Sequence, residues 1–210
     1  MKNYSSVFKK FAKLNGSQHI ASEFALKGIE NIVKKFEVKS VFELGTGIGT
    51  IPYLVKSINK EIKYVGIEGN EFCIKVLYQN LEAFVSNYFE LFETTDAFNK
   101  KEKFDLIIID GKADSLNFIK NIVNKSSIVF IEGDRLVQVQ EIKSMFPKSL
   151  IFRVITNKMN YLWSPFKSGF MGGYTLIFLK DTINFKLFYI CSRIKTAILY
   201  RLRWLKKYLN

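Results

Sequence analysis

The sequence predicts an α/β fold: a doubly wound, mostly parallel seven-stranded sheet with an antiparallel edge strand, followed by a C-terminal amphipathic helix. Three observations lead there. Strand-like and helix-like segments alternate through the middle of the chain. The strand-like segments are near-continuous apolar runs, which marks strands covered on both faces. A glycine cluster ends the first of these runs and opens a helix, the usual place for a ligand in such a sheet.

The elements follow in order. Asn15-Gly16-Ser17 reads as a turn, with Ser17 as N-cap of a helix over 17–35 whose apolar residues Ile20, Phe24, Ile29, Ile32, Val33 and Phe36 recur at helical spacing. Ser40-Val41-Phe42-Glu43-Leu44 is a buried-strand pattern, and a helix over 50–60 tolerates Pro52 in its first turn. A strand at 64–67, a helix over 71–84 and a strand at 88–92 come next. Phe104-Asp105-Leu106-Ile107-Ile108-Ile109 is the most apolar strand; a helix is expected over 115–123, a strand at 127–131 and a helix over 137–145 stopped by Pro147. Strands at 150–156 and 174–179 complete the sheet.

Composition narrows the class. A length of 210 residues suits one domain, 1–180, with a basic helical tail, 181–210. Hydrophobic residues at 48% exclude wholesale disorder, and 3 Pro with 12 Gly exclude collagen-like or low-complexity architecture. The two cysteines, Cys73 and Cys191, are too few for a disulfide scaffold or zinc site and read as reduced thiols. The basic 1–13 stretch lacks the apolar run of a secretory signal, and no uncharged apolar run reaches the roughly 18 residues of a membrane span. A cytoplasmic location is therefore expected. The net charge of +13 fits nucleic acid, an acidic ligand or an anionic membrane, and decides between none of them.

The chemistry concentrates in Glu43-Leu-Gly45-Thr46-Gly47-Ile-Gly49. Glycines there let the backbone turn sharply and let a ligand approach it. Glu68 ends the second strand about 20 residues later, where a carboxylate accepts from ribose hydroxyls. A dinucleotide loop needs glycine at position 50, which is Thr50 here. The pattern instead resembles motif I of the class I S-adenosylmethionine-dependent methyltransferases, whose fold is Rossmann-like, and the resemblance spans 17–180. Val65-Gly66-Ile67-Glu68 resembles their ribose-binding motif, Thr95-Asp96-Ala97 their adenine-binding motif, and the run from Phe104 to Asp110-Gly111 their fourth-strand motif. Ser127 to Gly133 and Gly172-Gly173-Tyr174-Thr175-Leu176 match the fifth and last strands.

The resemblance implies S-adenosylmethionine as cofactor. It places Gly45, Thr46, Gly47 and Gly49 under the methionine and ribose. Glu43 would hold the amino group through the loop, Glu68 with Gly69 the ribose, Asp96 and the Ala97 N–H the adenine, and Asp110 would sit near the sulfonium and acceptor. The chain lacks the Asn/Asp-Pro-Pro-aromatic of nucleobase amino-methyltransferases, having Asp110-Gly-Lys-Ala, and it has no Pro-Cys pair. Gly16-Ser17-Gln18-His19 before motif I is similar to the entry segment of catechol-type O-methyltransferases. Their Asp-Asn metal pair is not reproduced in Glu132-Gly133-Asp134-Arg135, and no metal is assigned. Asp110, Glu132 and Asp134 holding a hard cation is the alternative to Arg135 neutralising Asp134.

An oxygen acceptor needs a base. His19, the chain's one histidine, and Asp110 are the catalytic candidates, with Lys112 behind them; a packing histidine and a solvated lysine are the competing readings. The aromatic 157–173 stretch reads either as an acceptor lid or as a loop packed on the sheet. In the tail, Leu187, Cys191, Ile194, Ile198, Leu202, Leu205 and Leu209 form an apolar stripe beside Tyr200, Trp204 and Tyr208, amid Lys186, Arg193, Lys195, Arg201, Arg203, Lys206 and Lys207. Residues 185–209 read either as binding an anionic membrane surface, placing the protein peripherally on the inner membrane face, or as packing on protein.

The function expected is O-methylation of a small-molecule or glycan/lipid-linked acceptor. An RNA methyltransferase and a non-catalytic membrane-associated nucleoside-binding scaffold are the alternatives. Nucleic acid is disfavoured because nearly half the surplus charge lies in the tail. The sequence is silent on the acceptor's identity and on oligomeric state.

Overall fold

The computed structural model describes residues 3–84, 88–98, 101–158, 170, 172–180 and 182–209. Its elements are α1 (Asn3–Phe11), α2 (Glu23–Lys35), β1 (Ser40–Leu44), α3 (Thr50–Ile58), β2 (Lys63–Ile67), α4 (Glu71–Leu81), β3 (Phe89–Phe92), β4 (Phe104–Ile109), α5 (Ile119–Ile122), β5 (Val123–Glu132), α6 (Leu136–Met145), β6 (Leu150–Val154), β7 (Tyr174–Phe178) and α7 (Ile183–Leu209). The strands form one sheet in the order β3-β2-β1-β4-β5-β7-β6. β1 to β5 run parallel, and β7 is antiparallel to both β5 and β6.

The apolar runs explain this sheet. Phe104, Leu106, Ile107, Ile108 and Ile109 of β4 are completely buried, with alternate side chains serving opposite faces. Leu106 and Ile108 pack under α1, α2 and α3, while Ile107 and Ile109 pack with Leu116, Ile119 and Ile142. Burying one such side chain contributes roughly 1.5–3 kcal/mol. The antiparallel strand is β7, which slots between β5 and β6. All five of its residues are buried, whereas β6 is mostly half-buried and forms the outer edge.

Two local expectations are corrected, and one further helix is found. The helix begins at Glu23, not Ser17: Gly16 adopts φ 89°, a 3-10 turn occupies Ser17–His19, and the N-cap is Ser22, whose hydroxyl accepts from the Ala25 N–H at 3.2 Å. The helix over 115–123 shrinks to the single turn of α5, and β5 starts early, at Val123. Local bonds compete with the helix there: the Asn117 N–H donates to Ser115 Oγ at 3.2 Å, and the Leu116 N–H donates to Glu141 at 2.6 Å. The basic N-terminal stretch contains α1, which buries Val7 and Phe11 against the core. The 157–173 stretch, with Tyr161, Trp163, Pro165, Phe166, Gly169 and Met171, falls largely outside the described residues.

α7 is one helix from Ile183 to Leu209 and packs along β6. The Phe185 ring stacks on Phe178 with centroids 4.4 Å apart, and Thr196 Oγ1 donates to the Arg153 carbonyl at 3.0 Å. Arg203 Nε donates to the Thr156 carbonyl at 2.9 Å. Among the described residues no helix is long and apolar enough to cross a membrane.

Candidate functional site

The sheet changes winding direction at β1, with β2 and β3 on one side and β4 and β5 on the other. Ligands in open α/β sheets bind beyond the carboxyl ends of strands at such a point. The glycine loop lies there. The Gly45 and Thr46 N–H groups both donate to the Ile67 carbonyl, tying the loop to the end of β2, and the Gly49 N–H closes a turn onto the Thr46 carbonyl at 3.0 Å. Two glycines are required by space. A Cβ on Gly47, which has φ 53°, would lie 2.1 Å from the His19 carbonyl oxygen; one on Gly45, φ 87°, would lie 2.5 Å from the Gly111 backbone. The loop is thus clamped between the turn before α2 and the end of β4.

Above it opens a cleft of about 570 Å³, a size suited to a small ligand. His19, Gly45, Gly47, Glu68, Gly69, Asp110 and Lys112 all contribute to its walls. Glu68 is fixed by two bonds: Oε2 accepts from the Gly47 N–H at 2.7 Å and Oε1 from the Asn70 N–H at 2.9 Å. His19 and Lys112 are exposed on the wall.

Other expected residues stand back from the cleft. Glu43 and Thr46 are buried beneath the loop, and Gly49 caps α3. Glu43 Oε2 accepts a short bond from the Tyr64 hydroxyl, while Glu43 Oε1 and Thr46 Oγ1 have no partner among the described residues. Burial drives the Glu43 carboxyl well above its ordinary pKa, against the lowering effect of the Tyr64 bond and with added repulsion from Glu68 and Glu132. Asp96 and Ala97 do not reach the cleft either. Asp96 is exposed beyond it, and the Ala97 N–H donates to Thr94 Oγ1 at 3.1 Å instead of facing a ligand. Glu93, Thr94 and Thr95, one turn earlier, occupy that wall.

Arg135, like Glu93, Thr94, Thr95 and Asp114, lines the cleft without having been assigned to it from sequence. Its guanidinium bridges the ends of β4 and β5, donating to the carbonyls of Asp110, Gly111 (3.2 Å) and Glu132 (3.1 Å), with Asp110 Oδ1 at 3.3 Å. Asp134, expected to pair with Arg135, pairs with Arg153 at 2.8 Å. Glu132 Oε1 accepts from the Ser22 N–H at 2.8 Å and hydroxyl at 2.9 Å, mooring α2 to the end of β5. Asp110 sits between these groups. Desolvation, together with the charge and hydrogen bond of Glu132, raises its pKa well above the ordinary carboxylate range, with Arg135 opposing. Glu132 and Asp110 stay close to each other, whereas Asp134 is drawn to Arg153, and among the described residues no group of three acidic, histidine or cysteine side chains could hold a metal ion.

No protein-family model and no curated protein sequence matches the chain. Solved structures do. An O-methyltransferase from Bacillus cereus, in complex with S-adenosylhomocysteine, superposes with TM-score 0.64 at 16% identity, covering 86% of this chain and 91% of that one. The fold is that of the class I S-adenosylmethionine-dependent methyltransferases. The O-methyltransferase TomG of Streptomyces achromogenes, involved in tomaymycin synthesis and bound to S-adenosylmethionine, gives TM-score 0.62 at 14% identity over 86% of this chain and 91% of that one. A precorrin-6y C5,15-methyltransferase from Geobacter metallireducens gives 0.60 at 12% identity over 80% and 94%. At such identities the likeness is one of methyltransferase fold, and the chemistry rests on the cleft itself.

Proposed function

We propose that the chain is an S-adenosylmethionine-dependent methyltransferase that methylates an oxygen of a small-molecule or glycan acceptor, free or lipid-linked. One observation carries this reading. In a chain of net charge +13, the cleft gathers four carboxylates (Glu68, Glu93, Asp110 and Asp114) against two cations (Lys112 and Arg135). A cleft with a surplus of one sign of charge favours the opposite sign. A nucleoside carrying a sulfonium and an ammonium suits that field, whereas a polyphosphate or nucleic-acid backbone opposes it.

The residues fit this ligand. An ionised carboxylate offers about four lone-pair sites. Glu68 spends two on the Gly47 and Asn70 N–H groups, which leaves two for a pair of ribose hydroxyls. Gly47 and Gly69 keep the cleft floor free of side chains. Glu43 Oε1 and Thr46 Oγ1, without partners among the described residues, are acceptors for a water bridging to the amino group. Thr94 and Thr95 line the cleft wall next to Asp96 and Ala97 in the chain, and this reading assigns the adenine edge to them.

When bound, S-adenosylmethionine supplies a methyl group already activated on sulfur. The chain must then align an acceptor oxygen behind that methyl and exclude competing geometries. It must also take the acceptor's proton. The His19 imidazole and the Asp110 carboxylate, both lining the cleft, are the candidates for that task, with Lys112 behind them. Lys112 and Asp114 lie beside Asp110 at the acceptor end and orient polar substituents.

Calorimetric titration with S-adenosylhomocysteine tests the donor half: saturable binding is expected, and no heat at millimolar ligand refutes it. Release of S-adenosylhomocysteine across hydroxyl-bearing acceptors then tests the transfer. Turnover only on nitrogen or carbon acceptors would reject O-methylation while keeping the fold's chemistry.

A further inference from the structure

We propose that the outward face of α7 is a docking surface for an anionic lipid bilayer. The helix is amphipathic twice over. Phe185, Thr196 and Arg203 lie on one side and hold it to the domain through Phe178, Arg153 and Thr156. The opposite side presents a second apolar row, spaced three and four residues apart up to Ile198 and seven from there to Leu205. Ile183, Leu187, Ile190, Ile194, Ile198 and Leu205 are each 46–69% exposed, and Trp204 beside them is 59% exposed. The row runs about 33 Å along the helix. A helix needing only to cover β6 has no use for it, and exposed apolar surface of this extent marks an interaction site.

Charge selects the occupant. Residues 182–210 carry seven Lys and Arg and no Asp or Glu. Arg193 and Lys195 are exposed and flank the apolar row, and Arg201 interrupts it near its end. A second copy of this helix would bring cations against cations with no carboxylate to pair across the seam, whereas helix pairing normally draws on opposite charges. A bilayer rich in anionic headgroups satisfies both requirements. The apolar row enters the headgroup–acyl boundary, the cations meet phosphates, and Trp204 and Tyr200 suit that depth.

The topology gives this contact a direction. β6 runs parallel to β5, so its far end, at Thr156, lies at the same edge of the sheet as Glu132, Asp110 and the cleft. α7 ascends along β6: from Thr196 to Arg203 the helix rises about 10 Å, as does the strand from Arg153 to Thr156. The aromatic, basic end of α7 therefore reaches the cleft edge, and a bilayer on its outer face lies beside the substrate opening.

Flotation of the full chain with vesicles tests the proposal independently of methyl transfer, so its failure leaves the enzyme reading intact. The chain is expected to float with phosphatidylglycerol-rich vesicles, to stay behind with pure phosphatidylcholine, and to be released by high salt. The triple variant R193Q/K195Q/R201Q should lose about a hundredfold in vesicle affinity, near fivefold per cation. The triple L187S/I194S/I198S alters only exposed positions, so it should melt as the parent does while losing at least about tenfold. Three results would overturn the proposal. One is no flotation on anionic vesicles, another is flotation indifferent to both triples, and the third is a dimer in sedimentation that the serine triple dissolves while vesicles are ignored.

Discussion

Substituting Gly47 by alanine probes the loop most sharply. The new methyl carbon would lie 2.1 Å from the His19 carbonyl oxygen, about 1 Å or more inside the closest comfortable C···O approach. Neither side yields cheaply. Gly47 is tied to Glu68 at 2.7 Å, and the His19 turn is closed by its N–H on the Gly16 carbonyl at 2.8 Å. The left-handed φ of 53° adds about 1–2 kcal/mol for any residue with a Cβ, and relieving the overlap adds about 1–3 kcal/mol. The sum of about 2–5 kcal/mol corresponds to a drop of about 5–15 °C in Tm for a chain of this size. Gly133 supplies the comparison. Its φ is 74°, but a Cβ there meets nothing within 4 Å, so Gly133→Ala should lose only the backbone share. Thermal melts of both variants separate the two contributions. Calorimetry should also show S-adenosylhomocysteine binding weakened about 10- to 100-fold in Gly47→Ala, since the cleft wall must move by about 1 Å. Equal losses of Tm in the two variants would refute the close-approach argument.

Glu68→Ala should weaken S-adenosylhomocysteine by about 10- to 150-fold, the worth of hydrogen bonds to a charged acceptor, and an unchanged calorimetric affinity would remove its role. Lys56 is buried, donates to the carbonyls of Lys60, Ile62 and Tyr88, and is pushed by desolvation from 10.5 to about 8. Because the unfolded chain then binds more protons between those values, stability relative to Lys56→Met should rise by about 1.4 kcal/mol per pH unit from about 8 to 10.5; parallel denaturation curves for the two proteins across that window would contradict it. Ser22→Ala removes the cap on the Ala25 N–H and the hydroxyl bond to Glu132, so urea unfolding should show a loss of about 1–2 kcal/mol, and a loss below about 0.3 kcal/mol would count against the mooring.

The parallel core was readable because strands buried on both faces admit almost nothing but apolar residues, so 40–44 and 104–109 stand out without any partner in view. The glycine loop was readable for a similar reason, since three left-handed positions so close together leave few alternatives to glycine. What escaped notice depends on distances between segments far apart in sequence. Arg135 was paired on paper with its neighbour Asp134; in space its guanidinium spans to Asp110, 25 positions earlier, and Arg153 takes Asp134 instead. Ser17 and Ser22 are the same cap type in isolation; Ser22 is the one that caps the Ala25 N–H, and its further bond to Glu132, 110 positions away, is invisible in the local sequence. The resemblance to the adenine-binding motif points to Asp96 and Ala97, while the cleft wall itself is lined by Glu93, Thr94 and Thr95, a local turn geometry that residue types alone do not reveal.

The insertion of β7 between β5 and β6 has a consequence for biogenesis. As the chain leaves the ribosome, the ladder from β1 to β5 can assemble, but β5 and β6 both wait with unpaired edges until residues 174–178 arrive to zip them together. Nascent polypeptides stalled or truncated before that point expose two sticky borders at once, which makes them candidates for intermolecular strand exchange and chaperone capture. Of the strands described, β7 comes latest in the chain and is thus the keystone of the sheet, and α7 can settle only after that closure.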